Sequence, residues 1–297
     1  MKIIPPLEIT DATFASSSLG EPSAAELADA DYRGIWNDIT TYMVNAFVIY
    51  TPEHKKYQSL QNTNLNRIPG VDGSETWWLD IGASDEWKVF DSKVGSQATF
   101  TSVITYDIRP GVTFDSIAIL NIEAETVVVT VEDEGGTGAT TVWTEIVYAD
   151  GMFTPDIAKT DFPTTYLTPH VTVELTYTGE TVKVGEIVIG SALSLGNTKY
   201  VPSVGIIDYS MKQIDTFGNY TILERAYSKR LSCATNVLNT ELDTVYNILA
   251  ENRATPVVWV GYEEYASMIV FGFYKDFSIE IPYLKYSVCT LEIEGLV

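Results

Sequence analysis

The sequence predicts a mainly β protein: a small aromatic β module, a β-sandwich and a C-terminal α+β domain with one helix. Three observations predict it. Short runs rich in Val, Ile, Thr and Tyr recur along the 297 residues, bounded by Gly, Pro, Asn and Asp. One long helical apolar stripe occurs, near residues 240–252. The run 77–91, WWLDIGASDEWKVFD, sets three Trp and one Phe at the seam between two differently patterned regions. Trp brings large apolar area at low entropic cost. Such a cluster either fastens one small domain to the next or forms a platform for a flat ligand.

Four segments follow along the chain. Residues 1–32 form a lead-in, where Pro5, Pro6 and the Ser16, Ser17, Ser18 run mark extended or loose chain and 24–30 suits a short helix. This arm is expected to lie across a neighbouring subunit or to be disordered. Residues 33–84 form the aromatic module. Trp36 and Tyr42 open it, with a strand at 44–50, its hairpin partner at 55–60 and a third strand at 77–81. Fifty residues bury only a modest core, so the aromatics must supply much of it.

Residues 85–202 read as the sandwich. Strands are expected at 98–108, 116–122, 126–132, 140–147, 170–178 and 181–189. Turn signals separate them at Gly135 and Gly136, at Asp150 and Gly151, and at Thr178 and Gly179. The run TVVVTV at 126–131 is too apolar for an exposed position and belongs mid-sheet. Residues 150–169 look irregular, and a loop of that length usually contacts something.

Residues 203–297 form the α+β segment. Strands are expected at 203–211, 220–234, 256–261 and 287–293. In the helix, Leu242, Val245, Tyr246 and Leu249 make one stripe, Thr240 with Asp243 resembles a capping box, and Pro256 blocks continuation. Arg225, Lys229, Arg230 and Arg253 concentrate here, to meet acidic faces of partner subunits or to balance local charge.

Bulk properties narrow the function. Hydrophobic residues make up 45% of the chain, which suits a folded core of two or three domains. A net charge of −22 argues against a broad nucleic-acid surface. No apolar run reaches the length of a membrane span, and residues 1–14 lack the pattern of a signal peptide, so synthesis and folding in the cytoplasm are expected. The acidic cluster Glu132, Asp133 and Glu134 reads as a hairpin loop rather than a metal site. With Cys233 and Cys289 the only cysteines, no zinc pattern exists, and both are expected as buried, unpaired neighbours across a sheet. No cofactor is expected.

Catalytic patterns are lacking too. There is no G-x-S-x-G, P-loop or G-x-G-x-x-G. His54 falls in a hairpin turn where a solvated ring is expected, and His170 at a strand start where it caps or packs. The expectation is a protein that is not an enzyme. Trp36, Tyr50, Tyr57, Trp77 and Trp78 are the candidates for stacking on a sugar or for an interface, core packing being the other use. Strand alternation sends Trp77 and Trp78 to opposite faces. Trp87 and Phe90 are the candidates for inter-domain packing.

Three resemblances rest on these residues. The phrases YQSLQNTNLNRIP, WWLDIGASDEWKVFD, VGEIVIGSALSLGNTKY, VGIIDYSMKQIDTFGN, RAYSKRLS, RATPVVWVG and GFYKDFSIEIPY resemble a family of virion or tail-associated structural proteins of tailed bacteriophages. This resemblance covers nearly the whole chain. Trp36, Tyr42, Tyr50, Tyr57, Pro69 and Trp77 are similar to the aromatic spacing of small chitin-type carbohydrate-binding modules, although Val44 and Asn45 replace the Gly-Asp of that pattern. Residues 87–91, 117–121 and 182–190 resemble a galactose-binding-like jelly roll. The resemblances imply a structural component of the phage tail, such as a baseplate or fibre-attachment protein. They imply other tail proteins as partners, a ring or trimeric homo-oligomer, and the virion as its place. The alternative they imply is a receptor-binding protein for host-surface glycan.

Overall fold

Several short runs are apolar at consecutive positions, with no polar face: IAIL at 117–120, IVIG at 187–190, VVWV at 257–260. A strand reads this way when both its faces are buried. The computed structural model, which describes residues 1–133, 140–199, 202–214 and 216–297, is built around them. With 51% strand and 7% helix it is mainly β.

The lead-in and module contain β1 (Lys2–Ile4), β2 (Phe14–Ser17), helix α1 (Ala24–Ala28), β3 (Tyr32–Ile35), β4 (Thr41–Tyr42), β5 (Phe47–Tyr50), β6 (Lys55–Ser59), β7 (Asn64–Leu65) and β8 (Trp78–Ala83). A short 3-10 turn, Lys88–Phe90, leads into β9 (Ala98–Ile108), β10 (Ser116–Leu120), β11 (Thr126–Asp133), β12 (Thr141–Ile146), β13 (Tyr148–Ala149), β14 (Met152–Phe153), β15 (Asp156–Lys159), β16 (Pro169–Val184) and β17 (Glu186–Gly190). The remainder contains β18 (Leu193–Ser194), β19 (Asn197–Thr198), β20 (Ser203–Asp208), β21 (Met211–Ile214), β22 (Tyr220–Leu223), β23 (Tyr227–Leu238), helix α2 (Leu242–Glu251), β24 (Val257–Val260), β25 (Ile269–Glu280) and β26 (Tyr286–Gly295).

Three sheets stack. A five-stranded sheet, β12-β11-β16-β9-β2, faces the three-stranded sheet β15-β10-β17. Ile117, Ile119, Ile157, Ile187 and Ile189 of the small sheet enter the sandwich core. Their neighbours Ala118, Leu120, Ala158 and Val188 point the other way, onto Ile4, Val258, Val260, Ile269 and Phe271. Those residues belong to the third sheet, β18-β1-β24-β25-β26-β23-β19 with β20 on β23. Its far face packs on α2 through Ile3, Trp259, Val270, Val245 and Leu249. Period-2 alternation therefore operates inside each apolar run, with both destinations dry.

The lead-in expected at 1–32 is woven into all three parts. β1 pairs antiparallel with both β18 and β24. β2 completes the edge of the five-stranded sheet against β9. α1 carries a capping box, Ser23 with Glu26, and docks beside the module. A hydrophobic strand of three residues gains its stability from partners distant in sequence, so its local pattern is that of loose chain. Gly190 allows the approach, because a Cβ there would stand 2.2 Å from the Pro5 carbonyl oxygen.

Other expectations need correction. Thr178 and Gly179 do not turn the chain into a new strand. β16 runs on, and residues 177–180 bulge opposite Ser102 while both flanks pair with β9. Gly179 takes a positive φ of 79° there. Residues 150–169 are not irregular throughout, since β14 and β15 lie within them and Phe162 and Tyr166 enter the sandwich core. The Thr240–Asp243 cap does not form: Glu241 precedes the helix and no side chain caps it. Tyr246 leaves the buried stripe and is exposed, its ring 6.0 Å from Phe277. β25 forms where the sequence analysis places no strand.

The hairpin of β11 and β12 is present, although Glu134, Gly135 and Gly136 of its expected turn lie outside the described residues. β11 sits between β12 and β16, as its apolar run requires. Cys233 and Cys289 are buried and free in adjacent strands β23 and β26. No helix among the described residues is long and apolar enough to cross a membrane.

Ile4 is fully buried between the second and third sheets. Ile4→Ala is expected to cost about 2–4 kcal/mol in urea unfolding, as a core truncation does. A cost below about 1 kcal/mol would make β1 peripheral.

Candidate functional site

The Trp-rich run places its aromatics in two different environments. In the module, β3-β5-β6-β8 form a four-stranded sheet and β4-β7 a small ladder beside it. Their shared core is Tyr42, Val48, Tyr57 and Trp78. Trp78 meets Tyr42 edge-on at 5.4 Å, and its Nε1 donates to the Arg67 carbonyl at 2.8 Å. The Tyr57 hydroxyl donates to Glu53 at 2.6 Å. These two candidates thus serve as core, with their polar ends tying down loops.

Trp36, Tyr50 and Trp77 are half-buried against that core. Trp77 precedes β8 rather than lying in it, and the Arg67 guanidinium covers its ring at 4.8 Å. Trp36 and Tyr50 stand at 90° to each other with centroids 5.7 Å apart. Perpendicular rings support each other well, but they do not present one flat face.

Trp87 lies at the seam. It stacks on His54 at 3.7 Å and 14°, and meets Phe14 at 5.0 Å and Phe90 at 5.9 Å. Phe90 continues to Tyr106 of β9 at 6.0 Å. Trp87 therefore touches the module through His54 and the sandwich through Phe14 and Phe90, and the imidazole occupies the face that a ligand ring would need.

His54 is not the solvated turn residue expected. It holds a positive φ of 53° between β5 and β6. Its Nδ1 lies 2.8 Å from Glu21 Oε2 and its Nε2 lies 2.7 Å from Asp11 Oδ1. Glu21 Oε1 also accepts from the Ser84 hydroxyl at 2.5 Å. Glu21 thus separates Ser84 from His54, so the imidazole does not reach the hydroxyl as a catalytic base would. His170 starts β16 and lies 3.4 Å from Asp107 and 3.6 Å from Glu132.

A buried ionic cluster fixes the same seam. Lys56 Nζ stands 3.0 Å from Asp85 and 3.3 Å from Glu26, while Lys88 Nζ stands 2.9 Å from Asp85. Asp85 also accepts from Ser23 at 2.7 Å, and its backbone N–H donates to Glu26 at 2.9 Å. Burial opposes the charge on Asp85, but hydrogen bonds from Lys88 and Ser23 with the Lys56 charge outweigh it and hold the carboxyl at about 2. Glu86 next to it accepts from Ser17 at 2.6 Å, and burial pushes its pKa up.

Behind the 3-10 turn lies a second acidic pair. Burial, reinforced by the charge of Asp91, raises Glu186 to about 9, against hydrogen bonds from the Ser92 and Lys93 backbone. Glu186 Oε2 and Asp91 Oδ2 are both buried without a hydrogen-bond partner. Among the described residues no group of three or more His, Cys, Asp or Glu is placed to hold a metal ion. A cleft of about 470 Å³ opens between module and sandwich over His54, Trp87, Lys55, Asp80 and Lys93. Its lining alternates in charge, which suits a small polar group or water better than a glycan ring.

Lys229, expected to meet an acidic partner face or to balance local charge, pairs inside the chain with Asp156 of β15. The expectations missed one exposed feature. Among the described residues β21 and β22 pair only with each other, and all eight of their residues are exposed. Ile214, Tyr220 and Ile222 share one face with Lys212, and Met211 and Leu223 stand on the other. Short apolar runs of this kind read as ordinary strands, and nothing local in the sequence shows that no sheet covers them.

The chain matches no protein-family model, and no curated protein is similar to it in sequence.

Glu186→Gln keeps an acceptor for the Ser92 and Lys93 N–H groups and removes the charge. In the wild type the cost of keeping Glu186 protonated grows as pH rises from about 4, where the unfolded chain ionises, towards about 9. Thermal melts should show the variant gaining on the wild type across that window and not below it. A difference constant with pH would mean that Glu186 titrates as an ordinary carboxyl.

Proposed function

We propose that the protein is a structural component of a bacteriophage tail, a tail, baseplate or fibre-attachment protein that works by protein–protein assembly. The observation that carries this reading is the use of aromatic area. The large rings at the seam are spent on joining module to sandwich, while the apolar side chains of β21 and β22 are left to solvent. Monomeric proteins seldom leave a large contiguous apolar patch uncovered. The phrase resemblance to virion proteins supplies the particle, and the cyclic symmetry of tails supplies the expectation of a ring or trimer. Other tail proteins are the partners, and the virion is the place of action.

Recognition of host-surface glycan by a receptor-binding protein is the second reading. Trp36, Tyr50 and Trp77 favour it because they stay half-exposed on the module surface. The perpendicular Trp36 and Tyr50 rings and the Arg67 cover weigh against it.

Deleting the gene from the phage that carries it separates the two. Assembly predicts incomplete tails and the protein's presence, in fixed ratio to other tail proteins, in wild-type particles. Glycan recognition predicts complete particles that fail to adsorb, with the same defect from Trp36→Ala and Tyr50→Ala. Absence from purified particles, with normal tails and adsorption after deletion, would remove both.

A further inference from the structure

We infer that the arm formed by residues 203–227 docks on a second copy of this chain, at the far end of its third sheet, in a head-to-tail contact. The inference rests on the assembly reading and names the surface and partner through which it operates.

The arm begins as β20 on the edge of the third sheet, leaves it at Asp208, and folds back as β21 and β22 before returning through β23. A two-stranded hairpin alone in water is marginal at best. Besides Phe217, nine large apolar side chains from Val204 to Tyr227 are 41–68% exposed. With about 150–250 Å² for each Tyr and less for each aliphatic side chain, they offer on the order of 1,000 Å² over both faces of the arm together, the scale of the ~800 Å² per partner of a standard interface. The arm carries little net charge. Residues 203–227 hold Asp208, Asp215 and Glu224 against Lys212 and Arg225, a net of −1 in a chain of net charge −22. Lys212 pairs with Asp208 at 2.9 Å. Two copies that repel over most of their surface can meet there without bringing acids together.

The chain carries a second exposed apolar patch. Between β25 and β26, Ile281, Tyr283 and Leu284 are exposed, Leu284 completely. Tyr286 stands opposite Leu238 in the ladder of β23 and β26, and both are exposed as well. The arm leaves from Tyr227, at the other end of the same strand, β23. Eleven residue steps at about 3.3 Å put the two patches ~35 Å apart. They sit at opposite ends of one sheet, so one copy cannot close them on itself. Two different surfaces that meet between identical chains make a heterologous contact, and such contacts build closed rings or open filaments.

The test uses the full chain. Cysteine variants Ile222→Cys and Leu284→Cys are purified separately, mixed and oxidised, with buried Cys233 and Cys289 left in place. A cross-linked dimer is expected from the mixture and not from either variant alone. In native mass spectrometry the wild type should appear as an oligomer, and the triple variant Ile214→Ser, Tyr220→Ser, Ile222→Ser should shift to the mass of one chain. Circular dichroism should give the triple variant the same melting temperature as the wild-type monomer fraction, which excludes misfolding. A wild type that stays monomeric at every concentration overturns the inference, as does cross-linking of Ile222→Cys to itself. A monomer in isolation that is nonetheless present in virions defeats this contact and leaves the assembly reading standing. An arm-dependent oligomer absent from virions does the reverse.

Discussion

The three-stranded sheet of β10, β15 and β17 has water on neither face, and the rest of the molecule is arranged to satisfy it. Ile117, Ile119 and Ile187 fill the sandwich, and Leu120 and Val188 meet the third sheet. Burying a side chain of this size contributes about 1.5–3 kcal/mol, and each strand of this sheet contributes in both directions. The residues towards the third sheet include Ala118 and Ala158, smaller than the isoleucines on the sandwich side. Small side chains allow close approach of two flat layers, and Gly190 lets the β1 connection pass at van der Waals range. Sandwich and C-terminal sheet are consequently one packed body, and their division into domains is a matter of chain order more than of cores.

The module is held differently. Its own core is four aromatic and aliphatic side chains, too small to dominate the position of what it carries. The junction is instead made of polar contacts around Asp85 and of the single indole of Trp87. Burying paired charges is costly unless every partner is satisfied. Lys56, Lys88, Ser23 and Glu26 meet that condition for Asp85. Glu186 and Asp91 do not, since each keeps an oxygen without a partner. The seam therefore combines a satisfied ionic knot with a buried acid pair, Asp91 and Glu186, in which burial and the Asp91 charge favour the protonated form of Glu186.

Much of this was legible in the sequence wherever the determinant was local. The strand at 98–108 has its expected limits, and β5 pairs with β6 and β11 with β12 as their apolar runs require. The buried, unpaired cysteines followed from apolar surroundings. What escaped depended on partners remote along the chain. His54 reads as a turn residue because Asp11 and Glu21 lie 43 and 33 positions away. β1 and β15 are three and four residues long, too short to show a period. β25 hides its pattern because Gly272 and the charges of Lys275 and Asp276 interrupt it at a register shift. For the site, residue type pointed to the seam, but which aromatic faces stay open depends on Arg67 and His54, which only the fold brings there.

β1 lies between β18 and β24 in the third sheet. On a ribosome its three residues emerge well before the strand they need at 257–260, which follows more than two hundred residues later. Until then Ile3 and Ile4 have no place to go, and the outer face of β10 and β17 stays wet. Closing so long a loop is costly in entropy and slow. The third sheet is therefore completed late, and a piece of the chain starting at that sheet would lack a strand that no later described residue replaces.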